Sequence, residues 1–340
     1  MDEFITLSHG HGGKYTHELI EKIMYKHFSN ETLIKGIDSG IFNIEKSKLA
    51  FTTDSFVVKP LFFTGGDIGK LAVCGTVNDL SVSGAKPLYL SCSFIIEEGF
   101  PIKKLELIVE SMGNTAKEVG VLIVTGDTKV VEKGDVDQIF INTAGIGIIE
   151  GQYAIKNIEK GDKVIVTGNI GDHGTTIALD RYNLNIKADL KSDCTAVNTI
   201  TNNLKEYYPY IKIMKDPTRG GVATTLNEIA TLTNHLGICI WEDKIPIKRE
   251  VRAINEMLGL DPLYMACEGR IIMVVEDQYA EDMLKIIKEI DDCENAKIIG
   301  TFVEKPYNIV YVENFLGGTR IINMLEGDTV SYTHLTLPTN

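Results

Sequence analysis

At 340 residues the chain exceeds what one hydrophobic core usually organises, so two domains are expected. Hydrophobic residues at 44% and charged residues at 24% exclude a disordered or fibrous chain. The net charge of -13 argues against a nucleic-acid partner, and no apolar run approaches the ~20 residues of a spanning helix, so a cytoplasmic, membrane-free protein is expected.

In chain order, Ser8-His9-Gly10-His11-Gly12-Gly13-Lys14 precedes a helical run beginning near Thr16. Gly10, Gly12 and Gly13 let backbone approach an anion and Lys14 adds a point charge, which makes the segment a candidate phosphate loop. Its spacing is not that of a P-loop, and glycine-rich termini are also often just flexible. His9 and His11 lack a third ligand for a metal site. Residues 49–53, 89–96, 121–125 and 138–149 read as strands, rich in β-branched residues and bounded by turn formers. Residues 67–84 read as a helix with an inner stripe of Leu71, Gly75, Asn78, Asp79 and Val82. A second helix, 102–119, places Ile102, Leu105, Val109, Met112, Ala116 and Val119 on one face.

A polar stretch ending in Lys160-Gly-Asp-Lys163 puts the domain boundary near 152, giving a first domain 1–152 and a second 153–329. The second half repeats the alternation, with helices at 196–205, 222–230 and 279–290 and strands at 164–167, 270–275 and 297–303. The fold class is α/β (α+β). Six scattered cysteines show no zinc spacing, and Cys239 in its apolar run reads as core filling.

Acidic residues stand where apolar ones would serve a core better. Asp54 and Asp127 each follow an apolar strand and are expected at strand termini, where ligands commonly bind. Asp79 lies beside apolar helix positions and needs a partner or a metal, and Asn142 interrupts the apolar strand 138–149. Asp54, Asp79 and Asp127 with Asn142 form a set of hard oxygen ligands suited to Mg²⁺, each of which could singly be a cap, turn or salt bridge. In the second half, residues 168–174 and 215–221 could present backbone amides, and Asp216 with Arg219 an anion fork. Glu268 is a further carboxylate just before a strand, expected with Asp216, Arg219 and Asn142 among the ATP- and phosphate-binding residues.

Together Phe51-Thr-Thr-Asp-Ser-Phe56, Gly75-Thr-Val-Asn-Asp-Leu-Ser-Val-Ser-Gly-Ala85, Thr125-Gly-Asp-Thr-Lys-Val130, Phe140-Ile-Asn-Thr-Ala-Gly145, Gly171-Asp-His-Gly174 and Asp216-Pro-Thr-Arg-Gly-Gly221 resemble the HypE family of [NiFe]-hydrogenase maturation proteins. The resemblance runs from about residue 6 to about residue 328 and extends to the wider aminoimidazole-ribonucleotide-synthetase-like superfamily. It implies two α/β domains, a homodimer pairing the sheets of the first domains, and ATP with Mg²⁺ in a cleft. Asp54, Asp79, Asp127 and Asn142 fall on the family's ATP-metal motifs and residues 10–14 on its phosphate loop. The implied partners are a HypF-like carbamoyltransferase, which loads a C-terminal cysteine, and HypC/HypD-like iron scaffolds, which receive cyanide. The implied reaction is ATP-dependent dehydration of that cysteine's S-carboxamide to a thiocyanate.

The family's Pro-Arg-Ile-Cys ending is not matched. After Asp328 the chain reads to Asn340 without a cysteine, and residues 330–339 resemble a translated sequencing-library adapter, so 330–340 is expected to be a non-native tail. No catalytic residue is assigned. Rival readings are a selenophosphate or purine-pathway synthetase of the same superfamily, or a non-catalytic maturation scaffold. The resemblance disfavours the selenophosphate synthetase, which would carry a reactive cysteine in the glycine-rich loop, because residues 8–14 contain none.

Overall fold

The structure, a computed structural model, describes residues 13–19, 21, 40–44, 47–151, 153–182, 188–233 and 235–325. After the short helix α1 (Lys14–Leu19) come strands β1 (Gly40–Ile44) and β2 (Ser47–Phe56), the small pair β3 (Phe62–Phe63) and β4 (Gly66–Asp67), and helix α2 (Ile68–Val82). Strand β5 (Ala85–Glu97), helix α3 (Ile102–Val119) and strands β6 (Leu122–Val131) and β7 (Ile139–Ile149) complete the first half. Its five-stranded sheet has the order β1-β2-β7-β5-β6. All pairs are antiparallel except β5 with β6, which α3 connects.

Helix α2 starts where the Asp67 carboxylate accepts from the Gly69 and Lys70 amides at 2.7 and 3.1 Å, a cap that contributes about 1 kcal/mol. Thirteen of its fifteen residues are buried, not the single stripe expected from spacing. The sheet covers one side, α3 another, and the second half of the chain a third. Helix α3 keeps its expected bounds and most of its expected face: Met112 and Ala116 are buried and Leu105 and Val119 pack against the core, joined by Ile108 and Thr115, whereas Ile102 is 81% exposed and Val109 46% exposed. Apolar residues lie on more than one side of α3, so packing against α2 chooses among them. Strand β6 outruns residues 121–125 because its parallel pairing with β5 continues to Val131 opposite Glu97. Asp127 therefore sits in mid-strand, not at a terminus.

Strand alternation gives this sheet two unlike faces. One carries α2 and α3. On the other, Phe51, Ile146, Tyr89 and Leu122 form one cross-strand row and are 43%, 39%, 46% and 63% exposed.

The second half contains β8 (Lys163–Val166), α4 (Asp172–Arg181), α5 (Asn198–Asn203), β9 (Ile211–Lys215), α6 (Gly221–Thr231), β10 (Gly237–Trp241) and α7 (Arg249–Leu258). They are followed by β11 (Ile272–Val275), α8 (Asp277–Lys288), β12 (Lys297–Val303), β13 (Val310–Glu313) and β14 (Thr319–Ile322). The seven-stranded sheet has the order β14-β13-β10-β12-β8-β11-β9. The helix expected over 196–205 shortens to α5, since Asn-Thr-Ile-Thr-Asn-Asn is a weak helix former, and a 3₁₀ turn with Pro209 inside it follows. The strand expected from Arg270 begins only at Ile272. The halves share packing, because Ile177 and Cys194 join the core built on α2 while Val82 joins that of the second sheet. Cys239 is buried in β10 as core filling. No described helix is long and apolar enough to cross a membrane.

Helix α1 docks on the second half. His17 Nε2 lies 3.2 Å from one Glu228 oxygen and Lys215 Nζ donates to the other at 2.8 Å. Burial alone would raise the Glu228 pKa, but His17 and Lys215 outweigh it and hold the carboxyl at about 2. A depressed carboxylate stabilises the fold above its unfolded pKa and loses that contribution as pH falls through the folded one. Glu228→Gln is therefore expected to cost about 2 kcal/mol at neutral pH, discounted for the quarter-exposed side chain. Urea unfolding of both proteins should show the difference vanish as pH falls from 4.5 towards about 2.

Candidate active site

The end of β2 stands beside the second half, close enough for Arg219 and Glu268 to share its electrostatics. Asp54 lies on the helix-covered face of the sheet, and α2 passes it at Gly75, where an added Cβ would stand 3.6 Å from Asp54 Oδ2 and 2.8 Å from the Phe56 ring. Glycine allows this approach. One step along the same face, Thr52 Oγ1 donates to Asp79 Oδ2 at 2.8 Å. Burial raises the Asp54 pKa, opposed by the charge of Arg219 and by the Ser55 amide, which donates to Asp54 Oδ1 at 2.8 Å. Arg219 and Asp216 come from the loop between β9 and α6, where Gly220 takes the left-handed conformation at φ 71° and starts the helix without a side-chain cap.

Glu268 completes the set at 3% exposure. Burial pushes its carboxyl well above the ordinary range, and the charges of Asp216, Asp193 and Asp54 push it further. Residues distant in the chain, Asp54, Asp216, Arg219 and Glu268, thus share one electrostatic neighbourhood. A crowd of carboxylates facing an arginine can take up cations and anionic phosphates together and can move protons at neutral pH.

The other expected site residues are placed differently. Ser55, Asn142, Ser93 and Asp127 form a second cross-strand row, on the open face of the sheet. There the Asp127 carboxyl is held low by its bond from Lys129, 3.1 Å away, and Asn142 Nδ2 donates to the Asp54 carbonyl at 2.9 Å and to Ser55 Oγ at 3.0 Å. Asp54 and Asp127 therefore occupy opposite faces of the sheet, and among the described residues no three His, Cys, Asp or Glu side chains converge to hold a metal ion. Gly10 and Gly12 lie outside the described residues. Gly13 precedes α1 and Lys14 begins it, the Lys14 amide donates to the Leu325 carbonyl at 3.1 Å, and a Cβ on Gly13 would strike that carbonyl. The 168–174 loop commits its amides internally: Gly171 N–H donates to Cys267 Sγ at 3.3 Å and Gly174 N–H to the Ala266 carbonyl at 3.0 Å.

Sequence reasoning missed the buried polar layer behind Glu268. Asp172 pairs with Lys248 at 2.6 Å, and burial followed by the Asp193 charge raises its pKa to about 6. Burial lowers the His173 pKa to about 4, with Nδ1 2.8 Å from Ser192 Oγ. The Asp-His pair inside Gly171-Asp-His-Gly174 is the available signal, but nothing local says that both are buried.

The family model for the N-terminal domain of AIR synthase related proteins matches residues 36–149, and that for the C-terminal domain matches 159–313. Carbamoyl dehydratase HypE of Rhizobium leguminosarum bv. viciae is 45% identical over 327 residues, covering 95% of this chain and 93% of that protein. The chain belongs to the HypE family. Among solved HypE structures, one of a HypE-HypF complex matches with a TM-score of 0.85 and 47% identity, covering 90% of this chain and 99% of that one. Another, of HypE in complex with ATP, matches with a TM-score of 0.80 and 42% identity over 95% of this chain and 98% of that one. The two-part AIR-synthetase-like fold expected from the motifs is the fold of the HypE relatives.

Proposed function

We propose that this chain is the ATP-dependent carbamoyl dehydratase of hydrogenase maturation, a cytoplasmic enzyme that converts a cysteine S-carboxamide to a thiocyanate. The observation that carries the reading is the meeting of Asp54 with Asp216, Arg219 and Glu268 between the two halves of a HypE-family chain. The amide oxygen takes the γ-phosphoryl group of ATP and ADP leaves. The C–O bond then breaks with departure of phosphate while nitrogen gives up its protons and the C–N triple bond forms. The balance is carboxamide plus ATP to thiocyanate, ADP, phosphate and one proton. Glu268, with its raised proton affinity, is the proposed base, and Arg219 offers a fork to the phosphates.

Mg²⁺ suits the helix-side carboxylates Asp54 and Asp79, because it binds through one or two carboxylates and completes its shell with water and phosphate oxygens. When bound it supplies charge neutralisation. Asp127 and Asn142 are proposed to reach nucleotide or metal from the interface of a homodimer that covers the open sheet face, and Gly10, Gly12, Gly13 and Lys14 to close over phosphate from the N-terminal side. The domains are proposed as 1–152 and 153–329. A HypF-like carbamoyltransferase would supply the carbamoyl group and HypC/HypD-like scaffolds would accept cyanide. Residues 330–340 are proposed as an adapter-derived replacement for the cysteine-bearing ending.

An S-carbamoylated peptide ending in Pro-Arg-Ile-Cys, supplied in trans, tests the reading. Phosphate release from ATP should depend on that peptide. Release that depends on selenide instead would overturn the assignment in favour of a selenophosphate synthetase, and no release with either would favour a scaffold. Arg219→Lys, which loses the bidentate fork, is expected to weaken ATP binding about tenfold by titration calorimetry.

A further inference from the structure

Glu268 is held by its backbone from two sides. Its amide donates to Asp193 Oδ1 at 3.2 Å, and its carbonyl accepts from the Thr195 amide at 3.2 Å and from Asn78 Nδ2 at 3.3 Å. The same Asn78 Nδ2 donates to the Thr195 carbonyl at 3.1 Å, while Asn78 Oδ1 accepts from the Val197 amide at 2.8 Å. Both amide protons and the oxygen of this carboxamide, 1% exposed, are thus spent on the backbone of two second-half segments. The segments also press together at Gly269, where a Cβ would collide with the Asp193 carbonyl and stand 2.6 Å from Thr195 Cγ2. Asn78 belongs to α2, whose next residue, Asp79, bonds to Thr52 on the first sheet.

We propose that Asn78 and Asp193 are positioning residues: α2 carries through Asn78 the placement of the first half to the Glu268 backbone, and Asp193 fixes the same residue from the opposite side. This rests on the reading of Glu268 as the base. Consecutive residues of one rigid helix then serve the two halves of the site, Asp79 towards the metal-binding face and Asn78 towards the proton acceptor. A Glu268 carboxylate held in this way stays in register with a phosphorylated substrate bound against the first half, and neither Asn78 nor Asp193 need touch that substrate.

The full chain, assayed with ATP and the carbamoylated peptide, separates the possibilities. Asn78→Ala is expected to lower kcat about a hundredfold, the cost of a misplaced catalytic group, while ATP affinity by calorimetry stays within about twofold. Wild-type kcat in this variant overturns the proposal. Parallel loss of kcat and ATP affinity also overturns it, since that is what a general loosening of the fold produces. Should Asn78→Ala fail to fold, the pair Asp193→Ala and Asp193→Asn decides, because asparagine keeps the acceptor for the Glu268 amide. Asp193→Ala should lose kcat and Asp193→Asn recover most of it, whereas equal rates in the two would contradict the clamp. A wild-type protein without turnover would instead strike at the functional reading itself.

Discussion

Glu268→Gln is expected to lower ATP-dependent dehydration by about a thousandfold, within the range that a general base contributes, while leaving ATP affinity within about twofold. The same substitution should stabilise the protein at neutral pH. A buried carboxyl whose pKa is raised in the fold favours the native state when protonated, and that contribution is lost as pH rises through the raised value. Glutamine removes the cost of ionising it among Asp216, Asp193 and Asp54. Thermal unfolding at pH 8 should therefore show a higher midpoint for Glu268→Gln than for the wild type, together with the collapse in rate. The wild-type rate should also fall on acidification at a pH above the ordinary carboxylate range, when Glu268 gains its proton. Loss of stability with loss of activity would mark Glu268 as a structural residue.

Ile146→Asp is expected to break the proposed homodimer into monomers. Ile146 is the centre of the exposed row Phe51, Ile146, Tyr89 and Leu122, and an isologous interface places each substitution in the contact twice. An unpaired carboxylate in such a contact costs several kcal/mol, so the dimer dissociation constant should rise about a thousandfold or more. Sedimentation at micromolar concentration reads this directly. Edge strand β6 adds Leu122, exposed at 63%, to the same surface, which would otherwise be an aggregation liability. Because Asp127 and Asn142 share that face, the monomeric variant should also lose turnover. A monomeric wild type with full activity would remove both residues from the proposed site.

Periodicity and turn chemistry made the element order legible in the first half, where α3 keeps its expected bounds and the strands around Asp54 and Asn142 stand where β-branched runs place them. Faces were less legible than elements. A strand alternates whatever packs against it, so the local pattern says that Thr52 and Asp54 share a side but not that Asp127 lies opposite them, which depends on register through β7 and β5. The choice of Ile108 over Ile102 and Val109 likewise belongs to the packing of α3 on α2.

The site was legible as a list and not as a geometry. Asp54, Asp216, Arg219 and Glu268 were each visible as polar exceptions beside apolar strands or glycine turns, and the fold unites them. Asn78 was visible as an amide inside an apolar helix, but its partners Thr195, Val197 and Glu268 lie more than a hundred positions away in sequence. Asp193 gave no warning, and the Asp172-His173 pair was visible only as a motif, because burial of a charge is settled by what surrounds it.

The most direct measurement replaces residues 330–340 with an ending that closes on Pro-Arg-Ile-Cys, loads that cysteine with a carbamoyl group through a HypF-like enzyme, and weighs the intact chain before and after ATP. The account predicts loss of one water from the carbamoylated chain, dependent on ATP and absent in Glu268→Gln. A carbamoylated ending that keeps its mass in the presence of ATP and Mg²⁺ would contradict it.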